Sequence, residues 1–128
     1  MTVPFWCLVI VMFIPIPLAL TGFAVRTRTL EEADNKTPRS QIRSLEGFPA
    51  RLYGAQENSW EATILFAPTV IMTHLAGVDP ADAAPWAIGF VVLRIVHIAL
   101  YLLDLDLLRS VVFAASMVPL VTMLSKAA

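Results

Sequence analysis

Cysteine and charge are both scarce in this sequence. Cys7 is the only cysteine among 128 residues, which excludes an intrachain disulfide and a metal site built from several thiolates. Charged residues make up 15% of the chain and apolar residues 58%, whereas a soluble domain has about 25% and 45–50%. The net charge of −1 offers no basic surface to nucleic acid. With a mean hydropathy of +0.74, the composition indicates a single membrane domain over residues 1–128.

No charged residue precedes Arg26. A secretory signal peptide starts with basic residues and ends at a small-residue cleavage site, and the opening MTVPFWC has no basic residue. We therefore expect the first apolar run to be a retained membrane helix. Proline is not scarce in this run, and we expect Pro15 and Pro17 to kink the helix.

Four segments are apolar enough for membrane helices, which need about 20 mostly apolar residues. They are residues 3–25, 60–78, 83–103 and 107–125. Because backbone groups in lipid must be hydrogen-bonded internally, helices are the form expected of them. The sequence thus predicts an all-α fold, an integral membrane four-helix bundle.

The long connection, residues 26–58, contains six of the nine basic residues. By the positive-inside rule it is cytoplasmic, which puts both termini of this multi-pass protein on the non-cytoplasmic side. Pro38 is typical of a helix start and Gly47 of a helix stop. We expect a further helix to begin at Phe48-Pro49 and to continue into the second span, so that it projects from the membrane.

Polar residues gather where the predicted helices approach the cytoplasmic side. On the third helix, Arg94, His97 and Tyr101 are spaced i, i+3, i+7 and share one face. On the second, Arg51 shares a stripe with Asn58 and Glu61. Since neighbouring helices run in opposite directions, all of these groups lie at the same side of the membrane. The residues that meet there are Arg26, Asn58, Glu61, Arg94, His97, Tyr101, Arg109 and Ser110.

Two interpretations fit this gathering. An arginine at the centre of a membrane helix costs about 2.5–3.5 kcal/mol on insertion scales, so such residues are functional by default. The first interpretation is a polar cavity for a small anionic ligand that carries an amine, with a lipophilic molecule entering from the bilayer. The second is a structural salt-bridge network in which Glu61 neutralises Arg94, and Asp104 and Asp106 serve Arg109. No metal site is expected, because His74 lies at the opposite side of the membrane.

Three patterns together resemble the MAPEG family, the membrane-associated proteins in eicosanoid and glutathione metabolism. They are R-x-x-x-A-x-x-N-x-x-E from Arg51 to Glu61, R-x-x-H-x-x-x-Y from Arg94 to Tyr101, and R-S at Arg109-Ser110. The stretch DNKTPRSQIRSLEGFPARLYGAQENSWEA looks most like the bacterial branch. The resemblance implies a homotrimer in the bacterial inner membrane, with glutathione bound as co-substrate between protomers.

The resemblance also implies a function and residue roles. It points to a membrane-bound glutathione-dependent transferase or peroxidase acting on lipophilic electrophiles, with Arg109 and Ser110 as the catalytic residues that stabilise the thiolate. The implied ligand-binding residues are Arg26, Arg51, Asn58, Glu61, Arg94, His97 and Tyr101.

Two positions depart from that family pattern. Gly54 and Glu57 stand where glutathione-using eukaryotic members often carry arginines, and this loss of positive charge predicts weaker binding of a carboxylate-rich peptide. A second hypothesis therefore stays open. In it, the chain is a non-catalytic membrane protein that binds an anionic lipid or another small anion in the same pocket.

Overall fold

The computed structural model describes residues 1–31 and 33–128, and this part of the chain is helical with no strand. The prediction of an all-α fold is confirmed. The helices are α1 (Val3–Phe13), α2 (Pro15–Thr29), α3 (Pro38–Arg43), α4 (Gly47–Leu75), α5 (Pro80–Leu102) and α6 (Asp106–Ala127).

The first predicted span is two helices, α1 and α2, that meet at Ile14. Pro15 and Pro17 carry no amide hydrogen, so the helical ladder is interrupted there. Ile14 nevertheless keeps helical dihedral angles and donates its amide to the Ile10 carbonyl at 3.1 Å. The helix also extends past the apolar run to Thr29, whose hydroxyl donates to a carbonyl one turn earlier.

Both helices that the sequence predicted in the long connection are present; Glu32 lies outside the described residues. The predicted helix stop at Gly47 is wrong, because α3 ends at Arg43 and Gly47 is the first residue of α4. α3 begins at Pro38, and α4 begins at Gly47, whose φ of +63° suits a residue without a side chain. α4 then runs through 29 residues with Pro68 inside it. The expected projecting helix and the predicted second span are therefore one continuous helix.

Three helical segments in residues 1–31 and 33–128 are long and apolar enough to cross a membrane. They are Val3–Thr29, Pro80–Leu102 and Asp106–Ala127, and they are compatible with a multi-pass integral membrane protein. α4 is not among these segments, because polar residues such as Asn58, Glu61 and His74 dilute its apolar stretch. A membrane crossing at residues 60–78 stays a prediction.

The helices pack side by side, and their two ends differ in chemistry. We call the end with the α4–α5 turn the apolar end and the end with the α5–α6 turn the polar end. Phe66 and Phe90 stack at the centre of the core with ring centroids 4.4 Å apart. The buried apolar cluster consists of Cys7, Leu8, Val11, Ala62, Phe66, Val70, Ala83, Ala87, Phe90, Val91, Leu120 and Met123.

Candidate functional site

An open pocket of about 330 Å³ lies at the polar end, between α4, α5 and α6. Its volume is within the range of about 300–1,000 Å³ that small-molecule sites occupy. The residues that line it are Asn58, His97, Tyr101, Arg109, Ser110 and Phe113. The fold thus brings together five of the residues predicted for the site and adds Phe113.

Arg109 and Ser110 lie in the first turns of α6, on the wall of this pocket. The guanidinium of Arg109 lies over the ring of Tyr101, with its Cζ 4.1 Å from the ring centroid. This is a cation–π contact, which contributes about 0.5–2 kcal/mol depending on solvation. The Ser110 hydroxyl donates to the Asp106 carbonyl at 3.0 Å. Arg109 is therefore the residue better placed to stabilise a negative charge, since the proton of Ser110 is already used within α6.

Arg94 sits behind the pocket and controls the orientation of Asn58. Its side chain is buried, and Nη2 donates to both the backbone carbonyl of Asn58, at 3.2 Å, and to the side-chain Oδ1. The Asn58 amide then donates from Nδ2 to Oε2 of Glu61 at 3.1 Å. The three residues form a relay from the core to the surface of α4. In the described residues the Asn58 amide, rather than a direct ion pair, connects Arg94 with Glu61.

His97 forms the floor of the pocket between two aromatic rings. Its ring centroid lies 5.9 Å from that of Tyr101 and 6.1 Å from that of Phe113. The side chain is buried, and in the described part of the chain Nδ1 has no hydrogen-bond partner, as is also true of Nε of Arg94. A buried polar group left unpaired costs about 1–3 kcal/mol. Nδ1 of His97 and Nε of Arg94 are therefore polar groups near the pocket that the surrounding helices leave unpaired.

Arg51 lies outside the pocket lining and connects α4 with the α5–α6 turn. Its Nη1 pairs with Oδ2 of Asp104 at 3.2 Å, and its Nε donates to the Leu102 carbonyl at 3.4 Å. Asp104 holds a φ of +64° in this turn. One of the two carboxylates that the network interpretation gave to Arg109, that of Asp104, is thus engaged by Arg51 instead.

Arg26 is also absent from the pocket lining. Its side chain is buried where α2 meets α4, and Nη2 donates to Oδ1 of Asn35 at 3.4 Å. Its Cζ lies 5.5 Å from the ring centroid of Phe23. Nε and Nη1 have no hydrogen-bond partner in the described residues, so this cation is buried with little to compensate it.

The sequence singled out the pocket residues by helical spacing but not the contacts that position them. Arg51 and Asp104 are 53 residues apart, so no local pattern connects them. Gly54 was singled out as a departure from the family pattern, whereas in the structure it is covered by Tyr101. Phe113 was not among the residues predicted for the site. Its position three residues after Ser110, on the same face of a helix, is the signal that could have placed it in the pocket.

Comparison with known proteins gives one match. The model of the MAPEG family matches residues 3–128, which include every helix of the structure. No curated protein and no solved structure matches the chain.

Proposed function

Because the chain belongs to the MAPEG family, we propose that it is a membrane-bound glutathione-dependent transferase or peroxidase that acts on lipophilic electrophiles. The observation that carries this proposal is the pocket at the polar end. There the guanidinium of Arg109 faces a space that is also lined by the polar groups of Asn58, His97 and Tyr101. A permanent cation beside neutral hydrogen-bonding groups is the arrangement that a thiolate nucleophile needs.

Arg109 would act by favouring the charged form of the thiol. A free thiol has a pKa of about 8.5, so it is mostly protonated at neutral pH, and a neighbouring cation shifts the balance toward the thiolate. In the transferase reaction the thiol proton passes to water and the sulfur attacks an electrophilic carbon. A carbon–sulfur bond forms while the leaving group departs with its bonding electrons. In the peroxidase reaction two thiols are oxidised to a disulfide as a lipid hydroperoxide is reduced to the alcohol and water.

The relay from Arg94 suits the remainder of a glutathione molecule. Asn58 offers an oriented amide, and Glu61 lies exposed on the outer surface of α4, where its carboxylate could receive an ammonium group. An exposed carboxylate at this position also supports a site that is completed by a neighbouring protomer in a homotrimer. In this proposal the polar end faces the cytoplasm from a bacterial inner membrane, both termini lie on the other side, and lipid surrounds the assembly.

A second function is favoured by the distribution of positive charge. Arg109 carries the permanent positive charge among the six lining residues. Arg51 lies outside the lining and is paired with Asp104. Gly54 has no side chain to offer the pocket, and Tyr101 lies against it. Such a site also suits a ligand with one anionic group. The second function is therefore that of a non-catalytic protein that binds an anionic lipid headgroup or another small anion.

Turnover by the purified protein in detergent separates these functions. With glutathione and an aryl halide electrophile, the wild type should form the thioether above the uncatalysed rate. Arg109→Ala should lower kcat by about 100-fold or more, as loss of a transition-state donor does, with a smaller change in KM. Arg43→Ala removes an exposed arginine from α3 and should change neither constant.

A defined set of results would instead support the anion-binding function. A wild type without rate above background, without a glutathione-dependent thermal shift, and with phospholipid retained in native mass spectrometry would replace the transferase proposal with the anion-binding one.

A further inference from the structure

We propose that Gly54 is a positioning residue of the pocket, because its lack of a side chain lets Tyr101 lie against α4 and support the guanidinium of Arg109. The inference rests on the proposed function in one respect only, namely that this pocket is where the ligand reacts. The contacts among Gly54, Tyr101 and Arg109 can be tested without any ligand.

The contact between Tyr101 and Gly54 is closer than a side chain would allow. A Cβ atom placed on Gly54 would lie 2.8 Å from Cζ and 2.9 Å from Cε1 of Tyr101, and its closest neighbour would be the hydroxyl oxygen. Real Cβ contacts are essentially never below 3.0 Å. The tip of the Tyr101 ring therefore occupies the place that any other residue at position 54 would fill.

The other face of the contact belongs to the pocket. The Tyr101 ring carries the Arg109 guanidinium at 4.1 Å from its centroid, and both residues line the cavity. Tyr101 is thus held between bare backbone on α4 and a cation on α6. A change at position 54 reaches Arg109 through the ring, although Gly54 itself does not line the pocket.

Comparison with the other helical glycines separates this role from ordinary close packing. A glycine inside a helix lowers stability by about 1 kcal/mol relative to alanine, so a glycine there often has a packing or functional role. A Cβ on Gly89 in α5 would meet Pro119 at 3.9 Å, an ordinary contact, and one on Gly22 would meet Tyr53 at 3.1 Å. Gly54 is the tightest of these positions, and Tyr101 is the neighbour that lines the pocket.

The expected response to Gly54→Ala is a displaced ring rather than an unfolded helix. The colliding atoms belong to the far end of a flexible side chain, so Tyr101 can rotate away while α4 keeps its backbone. Arg109 then loses the ring beneath its guanidinium. The pocket would keep its lining residues but present its cation at a different place.

Fluorine NMR can follow this displacement, because Tyr53 and Tyr101 are the only tyrosines in the chain. In protein labelled with 3-fluorotyrosine, Tyr53→Phe and Tyr101→Phe assign the two signals. Gly54→Ala should move the Tyr101 signal by more than its linewidth. Gly89→Ala, the matched control in a helix of the same bundle, should leave it unchanged.

A double-mutant comparison tests the step from Tyr101 to Arg109. Arg109→Gln removes the cation over the ring and should move the Tyr101 signal in the wild-type background. The same substitution should move it much less in the Gly54→Ala background, where ring and guanidinium have separated. An unmoved signal in Gly54→Ala, or equal effects of Arg109→Gln in both backgrounds, would overturn the inference.

A second variant keeps the test valid if Gly54→Ala fails to fold. Gly54→Ala combined with Tyr101→Leu removes the colliding ring and should restore folding, and failure of the double variant would also overturn the inference. Where the wild type shows turnover, Gly54→Ala should lower kcat by up to about 100-fold, as a misplacement of about 1 Å can, with less effect on KM. An inactive wild type with the expected NMR response would contradict the proposed function and leave the positioning of Arg109 intact.

Discussion

The apolar and polar ends of this helical protein bury polar groups in different ways. At the apolar end, the buried hydroxyls of Thr69 and Thr73 donate to carbonyls one turn earlier in α4, at 2.8 and 2.7 Å. Ser116 does the same in α6 at 2.6 Å. Each of these groups has a partner within its own helix, and Thr73 has a second, longer contact with the Met123 carbonyl at 3.5 Å. The core at this end is therefore left to apolar packing.

Toward the polar end, the buried hydroxyl of Ser59 also donates within its own helix, but the larger buried groups are not satisfied locally. Arg26, Arg94 and His97 all retain nitrogen atoms without a partner in the described residues. Arg94 reaches another helix to bind Asn58. Stability alone would favour apolar residues of similar volume at such positions. The difference supports the proposal that the apolar end holds the protein together and that the polar end binds a ligand.

The largest effect on stability should come from the apolar end. Phe90→Ala removes one of the two stacked rings at the centre of the core and should lower the free energy of unfolding by about 3–5 kcal/mol. Unfolding in detergent micelles, followed by circular dichroism, measures this change. The control Ile64→Ala alters a side chain that is 71% exposed and should have little effect. A loss below about 1 kcal/mol for Phe90→Ala would mean that the stability does not reside at this end.

Arg94→Met should have an intermediate effect on stability and a clear effect on ligand response. Methionine fills the buried space but leaves the acceptors of Asn58 unpaired, which costs about 1–3 kcal/mol. The released amide should no longer hold Glu61, so the glutathione-dependent thermal shift should shrink. Loss of folding in the variant, with no ligand-dependent shift in the wild type, would instead support a purely structural network.

Asp104→Asn should have the smallest effect. The pair of Arg51 and Asp104 is partly exposed, with side chains that are 27% and 67% accessible, and pairs of this kind contribute about 0–1 kcal/mol. The loss should diminish further at high salt. Asp104→Gly removes the same carboxylate while accepting the positive φ, so it separates the ion pair from the turn geometry. A loss of several kcal/mol in both variants would make the turn a main source of stability.

Much of the fold could be predicted because it depends on local patterns. The position of Pro38, the apolar runs and the i, i+3, i+7 spacing of Arg94, His97 and Tyr101 are all readable along the chain. The break at Ile14 follows from Pro15 and Pro17, although the sequence suggested a kink inside one helix rather than two helices. The start of α4 well before its apolar part was also predicted, because Phe48-Pro49 is typical of a helix start.

The site was predicted less completely, because its geometry depends on pairs that are distant in sequence. Helical spacing put Arg51 with the ligand-binding residues, whereas in the protomer it pairs with Asp104. Tyr101 was recognised as a polar group, but its position depends on the bare backbone at Gly54. Arg26 was expected near the pocket from its depth in the membrane, and depth alone could not show that α2 buries it on another side of α4.

The most direct test of the ligand-binding role of the polar end is a calorimetric titration of glutathione into the detergent-solubilised protein, with Arg109→Ala and Arg43→Ala in parallel. We expect saturable binding by the wild type and by Arg43→Ala. In Arg109→Ala the affinity should fall by about tenfold or more, the effect of about 1.4 kcal/mol. No binding heat in the wild type, or equal affinity in Arg109→Ala, would contradict a glutathione site built around Arg109.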